Sequence, residues 1–466
     1  MRSVGTDGNP LRVAIIGSGP AAFYAAGHLF NQKGLQVEVD MFDRLPTPFG
    51  LVRAGVAPDH YKIKSVSRVF AKIASHPGFR FYGSVEFGSV ILAGDLRERY
   101  HQILYAIGAQ TDRQMGIPGE DLKGSHPATE FVGWYNGHPD YRDCQFDLSQ
   151  RSVAIVGVGN VAIDVARILC LTPDELAVTD MAAHAREALS LSRVQEVHLL
   201  ARRGPAQAAF TNPEIKELGN LSDAEVIVLP EEAQLDDLSC AALAAADDQS
   251  AERKVEILQE YASRKRVGKR RQIFVRFFVS PIELVGSAAG QLVSVRLAKN
   301  ELYQTEAGTL RPKATDRVEE LPAGLLFRSV GYRGAALPGV PFNDRWGVIL
   351  NEAGRVIDPA TREPVLGEYC SGWIKRGPSG VIGTNKADSV ESVNCMLEDL
   401  DSGSILRPSE PEASKMECLV RERQPDYFSW TDWQHLDEVE RRNGEAHGRP
   451  REKFTRVSDM RAAIAR

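Results

Sequence analysis

Two βαβ units, each breaking on a glycine fingerprint, constrain this chain more than any other feature. Residues 11–17 (LRVAIIG) read as an apolar strand that ends on Gly17, Pro20–Phe30 as a helix of small residues, and 35–42 (LQVEVDMF) as a returning strand. The pattern recurs from Ser152 to Gly157, through a helix near 161–171, to a strand at 194–201. Strand–helix–strand units of this kind build a parallel sheet covered by helices. In Gly17-x-Gly19-x-x-Ala22 the first glycine permits the tight turn, the second lets backbone approach a pyrophosphate, and the alanine lets helix and strand pack closely. The helix N-terminus then offers free N–H groups and positive dipole to phosphate. The second copy reads Gly157-Val158-Gly159-Asn160-Val161-Ala162. After the first unit the chain reaches an acid, Asp43; after the second it reaches Arg202-Arg203. An acid at that place suits a bare ribose hydroxyl pair, and a double arginine suits a ribose carrying a phosphate. The two units therefore read as a site for an adenine-nucleotide flavin, FAD, and a site for NADPH.

The remaining pattern extends this to a fold. The expected class is α/β, with two Rossmann-like dinucleotide-binding domains. A Pro/Gly-rich but Val- and Leu-containing stretch runs from Leu45 to His60, too long and too apolar for an idle linker. An amphipathic helix near 61–75 and strands near 79–87 and 102–107 complete the first part. The segment 172–192 is a helical insertion, which makes the spacing from Gly157 to Arg202 about twice the ~20 residues of a minimal unit. Residues 236–251 are acidic and alanine-rich, a surface helix or loop, and 271–330 alternate like antiparallel strands. Two apolar segments, Leu104 to Ala109 and Phe327 to Gly331, end on glycine in the manner of crossover strands, or simply as strands entering turns. The boundaries expected are 1–110 for the first part of an FAD-binding domain, 111–332 for an inserted NADP-binding domain, and 333–466 for the second part with a C-terminal tail. A helix near 430–443 lies in that tail.

Bulk properties narrow the function. The 466 residues suffice for two or three cores, and a formal charge of −6 gives no basis for nucleic-acid binding. No apolar run approaches the length that spans a bilayer, and the N-terminus lacks the apolar core of a secretory signal. The six cysteines lie far apart, without CxxC or metal-ligand spacing, so no metal is expected and the compartment reads as cytoplasmic. Other features are open to two readings. Trp373 offers a flat face to a ring system or to an ordinary core, and His60 closes the Pro-rich loop as a caged polar group or a helix cap. Glu214 and Glu217 share one helix face, functional or merely solvated. Seven Lys/Arg without an acid between Arg264 and Arg276 form either a solvated face or a docking surface for an acidic electron carrier. A helix expected near 380–400 would aim its N-terminal dipole at a reduced flavin.

The strings PTPFGLVRAGVAPDH, GVGNVAID, RRGPAQAAFT, RSVGYRG and GWIKRGPSGVIGTNK together closely resemble the ferredoxin–NADP⁺ reductases of the adrenodoxin reductase type, from about residue 11 to 400 and more weakly beyond. The resemblance implies a glutathione-reductase-like flavoprotein, an FAD domain with an inserted NADP domain. It implies FAD contacts at Gly17, Gly19, Ala21, Ala22, Asp43, Leu51, Val85, Trp373 and Gly380-Val381-Ile382. It implies NADP contacts at Arg113, Gly157, Val158, Gly159, Asn160, Val161, Arg202, Arg203, Glu214 and Gly380. His60 and Glu217 would serve near the nicotinamide end, tuning proton supply and ring placement. Where disulfide reductases usually carry Gly-Asp, this chain has Ser371-Gly372-Trp373. The implied activity is hydride transfer from NADPH to FAD, then single electrons to a ferredoxin-type iron–sulfur protein docked on a basic surface. Alternatives are an NADPH-dependent flavin reductase (a diaphorase) with a small-molecule or quinone acceptor, and a non-catalytic flavin-holding or nucleic-acid-binding protein.

Overall fold

The computed structural model describes residues 3–464. They divide into two compact units: the chain up to Thr111 together with the chain from Tyr332 onward, and the intervening Asp112–Gly331.

The first unit is built on a seven-stranded sheet whose middle strands are parallel. Leu11–Ile16 sits inside it, between Val37–Asp43 and Gln102–Tyr105, and all six of its residues are buried. A strand covered on both faces has no polar side, which is why LRVAII shows no alternation. The Pro20–Phe30 helix buries Ala21, Ala22, Ala25 and Ala26 as well as Phe23 and Leu29. Its small residues bring it close to the Thr384–Ser402 helix, where Ser389 Oγ donates to Ala21 O at 3.0 Å.

A cluster of charged side chains is buried within that sheet. Arg12, 2% exposed, pairs with Asp40 (2.9 Å) and Glu38 (2.7 Å), and Arg80 binds the same two acids. Tyr100 OH donates to Asp40 at 2.5 Å, and burial next to that carboxylate pushes the phenol well above its usual range. Charges this deep are tolerated because each has several partners. Beside them His101 Nδ1 accepts the Arg12 backbone N–H at 3.0 Å, so the ring must stay neutral. Burial, reinforced by the Arg12 charge, lowers its pKa to about 4. In the second unit His198, stacked on Phe274, is likewise lowered to about 4, chiefly by burial. Both folded-state values lie below the ordinary histidine value of ~6.5. Between these limits the unfolded histidines bind more protons, so the contribution of these two residues to stability is full above pH ~6.5 and falls as pH drops towards 4. Asp112, raised to about 7 chiefly by burial, acts with the opposite sign in the same window. The test is therefore a difference: across that window a His101→Gln, His198→Phe double variant should lose less of its melting midpoint on acidification than the parent does. An identical pH profile in the two proteins would contradict this.

The second unit holds a six-stranded parallel sheet in the order Ser125–Pro127, Leu325–Arg328, Ser152–Val156, Glu196–Leu200, Arg271–Arg276, Ala224–Val228. The helical insertion, Pro173–Ala177 and Ala183–Ser190, leaves Glu196–Leu200 in direct parallel register with Ser152–Val156. Phe131, Phe146 and Phe327 meet beneath the sheet, with Phe131 and Phe327 ring centroids 4.5 Å apart. The expectation of antiparallel strands throughout 271–330 needs correction. Only Val279–Gly286, Leu292–Gln304 and Leu310–Pro322 pair antiparallel, while Arg271–Arg276 and Leu325–Arg328 belong to the parallel sheet. Among the described residues, no helix is long and apolar enough to cross a membrane.

Candidate dinucleotide sites

Both fingerprints share one construction. Gly17 has φ +101°, and a Cβ there would lie 2.5 Å from Ala106 O. Gly157 has φ +119°, and its Cβ would lie 2.2 Å from Ser329 O. The glycine-ended segments after Leu104 and Phe327 are thus the neighbours that press on these turns. Gly19 and Gly159 differ: an added Cβ meets nothing within 4 Å at either. Each is the N-cap of an eleven-residue helix, and a glycine there has no side chain to cap the first-turn N–H groups. Open space over uncapped donors at the positive end of a helix fits a pyrophosphate at both places.

Around the first fingerprint the structure gathers most of the expected residues. Asp43 accepts Ser18 N–H (3.0 Å) and Ser18 O–H (2.5 Å) on one oxygen and Leu45 N–H (2.9 Å) on the other. Burial raises its pKa against the pull of these donors. Val85, 1% exposed, donates its N–H to Asp43 O at 2.8 Å. Leu51 opens the short Leu51–Ala54 helix, whose approach turn rests on the fingerprint through Phe49 N–H to Ser18 O (2.9 Å). The turn before Trp373 lies against Ala21, since a Cβ on Gly372 would come 2.7 Å from the Ala21 Cβ. Trp373 Nε1 donates to Ser379 O (3.2 Å), and its ring stands 5.4 Å from that of Tyr332. Gly380, Val381 and Ile382 fall in a turn held by Arg376, which donates to Ser379 O, Ser379 Oγ and Asn385 Oδ1. The helix begins only at Thr384, so these three residues precede it rather than open it. Val381 is 52% exposed. His60 also lies in this unit, as the N-cap of Tyr61–Lys64.

The second fingerprint gathers its own set. Val158 O accepts N–H from Ala209 and Phe210, and Asn160 Oδ1 accepts Thr211 N–H at 2.9 Å. The RRGPAQAAFT string therefore folds back onto the loop it follows. Arg113 N–H donates to Gly331 O (3.0 Å) at the exit of the Leu325–Arg328 strand. Arg202 and Arg203 leave the neighbouring Glu196–Leu200 strand; Asn300 Nδ2 holds Arg202 O at 2.8 Å, and Phe278 N–H holds Arg203 O. Burial, then the charges of Arg202 and Arg311, lower the pKa of Arg203. A half-buried arginine under the influence of two exposed like charges is a setting that suits an anion. Glu214 and Glu217 stand on the Asn212–Leu218 helix, and Glu217 pairs with buried Arg167 at 2.8 Å. Gly380, expected at both cofactors, belongs to the first unit.

Several contributors escaped the sequence reading. Asp388, far along the chain, accepts Gly372 N–H (2.5 Å) and Ser371 O–H (3.2 Å), fixing the turn before Trp373. Ser18 was hidden as the variable residue of its motif, and Arg311 lies on a hairpin with no motif at all. The basic run is not one face. Arg271 is 3% exposed and spent on Cys170 O, Leu171 O and Asp223, while Arg276 pairs with Glu232 and Glu319. Arg264 pairs with Glu260 and Lys269 donates to Leu221 O, leaving Lys265, Arg266 and Arg270 as the exposed remainder.

Comparison with known proteins agrees with this construction. The family described as pyridine nucleotide-disulphide oxidoreductase matches residues 11–218. NADPH-ferredoxin reductase FprA of Mycobacterium tuberculosis is 45% identical over 460 residues, covering 97% of this chain and 98% of the relative. The mitochondrial NADPH:adrenodoxin oxidoreductase of Salvelinus fontinalis is 39% identical, covering 98% and 92%. The solved structure of Mycobacterium tuberculosis FprA in complex with NADPH superposes with a TM-score of 0.92 at 44% identity, covering 98% of this chain and 100% of that one. With near-complete coverage in sequence and in structure, and both fingerprints in place, the chain belongs to the family of the NADPH-ferredoxin reductases and NADPH:adrenodoxin oxidoreductases.

Proposed function

We propose that the protein is an NADPH:ferredoxin oxidoreductase, with FAD held by the discontinuous unit (1–110 and 333–466) and NADPH by the inserted one (111–332). The observation that carries this reading is the pair of like-built fingerprints with unlike ends: Asp43 hydrogen-bonded beside the first, and Arg202, Arg203 and Arg311 gathered at the second. When bound, the flavin supplies the change from hydride to single-electron transfer that a ferredoxin requires. The chain's own part is to seat two dinucleotides and orient them. Gly19 and Gly159 leave room for the pyrophosphates, Asp43 offers its carboxylate to a ribose, and the arginines offer charge to a phosphate. His60 and Glu217 adjust proton supply and ring placement. His60→Ala and Glu217→Ala are each expected to slow hydride transfer by up to about 10²-fold in rapid-reaction traces, the lower range for positioned acid–base groups. Unaltered traces would remove that role.

The partner is read as an acidic iron–sulfur ferredoxin meeting the exposed Lys265, Arg266 and Arg270, in an encounter weakened by salt. A cytoplasmic setting accords with six unpaired cysteines. The deciding experiment follows the visible spectrum of the purified protein. The flavin bands should bleach with NADPH, and a ferredoxin added in stopped flow should then be reduced. Bleaching without ferredoxin reduction, but with turnover of a quinone, would favour the diaphorase reading. A colourless protein that takes up no FAD would sink both.

A further inference from the structure

The turn between Pro48 and Ala54 lies directly on the first fingerprint. A Cβ on Gly50 would come 3.0 Å from Gly19 Cα, and Phe49 donates its N–H to Ser18 O. Phe49 has φ +83°, a left-handed conformation that a bulky residue keeps only when its surroundings impose it. Phe23 (5.3 Å) and Phe70 (6.0 Å) pack on the Phe49 ring from the first part of the chain, and the rest of those surroundings comes from the far end. The Trp430–Glu445 helix, started by the Ser429/Asp432 capping box, sets Trp433 edge-on to Phe49 at 5.7 Å and Trp430 at 6.2 Å. From the other end of the turn, Arg53 reaches back to the same helix. Its Nη1 and Nη2 bind Glu440 Oε2 and Oε1 at 2.8 and 2.5 Å, and its guanidinium lies 5.1 Å over the Trp433 ring. Glu440 is fully buried and also accepts Phe454 N–H (3.0 Å) and Arg451 Nη1 (3.2 Å), while Lys453 Nζ donates to Arg53 O (3.2 Å).

A buried ion pair is a poor source of stability, since apolar residues of equal volume serve as well; what a forked arginine–carboxylate pair supplies is one fixed geometry. We propose that the C-terminal segment 430–454 is a positioning device for the first dinucleotide site. Through the Arg53–Glu440 pair it fixes the 49–54 turn over the fingerprint, and so sets how firmly the FAD pyrophosphate is held. The proposal rests on the reading of the first fingerprint as the FAD site. Arg53 and Glu440 are positioning residues, acting through Phe49 and Gly50.

The test measures release of FAD from the holoprotein, by the rise of free-flavin fluorescence, alongside thermal melting and calorimetric titration with NADP⁺. Arg53→Ala is expected to release FAD at least about tenfold faster, with NADP⁺ affinity unchanged and Arg53→Lys recovering part of the loss. Where Arg53→Ala gives no soluble holoprotein, the neutral pair Arg53→Met with Glu440→Gln decides, because it removes the geometry without leaving an uncompensated charge. That pair should melt near the parent yet still release FAD faster. Release at the parent's rate, whether melting is lowered or not, would reduce the pair to a structural contact and overturn the proposal. Failure of the underlying site reading looks different: the parent itself would carry no FAD.

Discussion

The Arg202→Ala, Arg203→Ala double variant is expected to bind NADPH about 10²- to 10⁴-fold more weakly while using NADH almost as before. Each hydrogen bond from a charged donor to a phosphate contributes ~1.5–3 kcal/mol. Two of them amount to roughly 3–6 kcal/mol, at about 1.4 kcal/mol per decade. The structure adds a reason to expect a large effect. Arg203 is half-buried beside Arg202 and Arg311, and burial with like charge already disfavours its charged form. Among the described residues its side chain makes one hydrogen bond, to Gln207 O at 3.5 Å. Such a group is held ready for an anion rather than consumed by a carboxylate. Steady-state titrations with both nucleotides decide the matter. Equal losses for NADPH and NADH would mean that the arginines support the fold or the shared part of the nucleotide, not the extra phosphate.

The sequence disclosed the parts of this fold whose physics is local. LRVAIIG and SVAIVG are legible because a strand buried on both faces must be apolar throughout and must break where only glycine can turn. The opposite charges at Asp43 and Arg202-Arg203 are legible because the chain places them one strand away from their own fingerprints. Residues 271–330 were misread because a parallel strand half covered by neighbours, Arg271–Arg276, shows the same alternation as an antiparallel one. The basic run misled for a related reason. Arg271 and Arg276 look like surface charge, yet their partners, Asp223, Glu232 and Glu319, arrive from distant segments. Asp388 behind Gly372 and Glu440 behind Arg53 were hidden in the same way, being single acids in ordinary helices whose meaning comes only from what they touch. No local pattern announces a phenylalanine at φ +83°; its ring is enclosed by Phe23 and Phe70 and by Trp430 and Trp433, the last two almost four hundred residues away.

Single methyl groups at the two fingerprints should separate the two sites. Gly17→Ala places a Cβ 2.5 Å from Ala106 O at φ +101°, and Gly157→Ala places one 2.2 Å from Ser329 O at φ +119°. Left-handed backbone alone costs an L-residue ~1–2 kcal/mol. The clash adds to it, because the obstacle is the backbone of a central strand's exit and not the tip of a flexible side chain. Something must move, and what lies nearest is the fingerprint turn proposed to hold the pyrophosphate. Each change is therefore expected to weaken its own dinucleotide by at least about 10²-fold. The outcomes differ because each clash is confined to one unit. Gly17→Ala should purify largely without flavin. Gly157→Ala should purify yellow, bleach with dithionite, and fail to bleach with NADPH at concentrations that reduce the parent. Gly159→Ala provides the control for strain: its φ is −96° and its added Cβ meets nothing, so melting should match the parent while NADPH binding falls. If Gly159→Ala binds NADPH normally, the open space above that helix is not where the pyrophosphate lies.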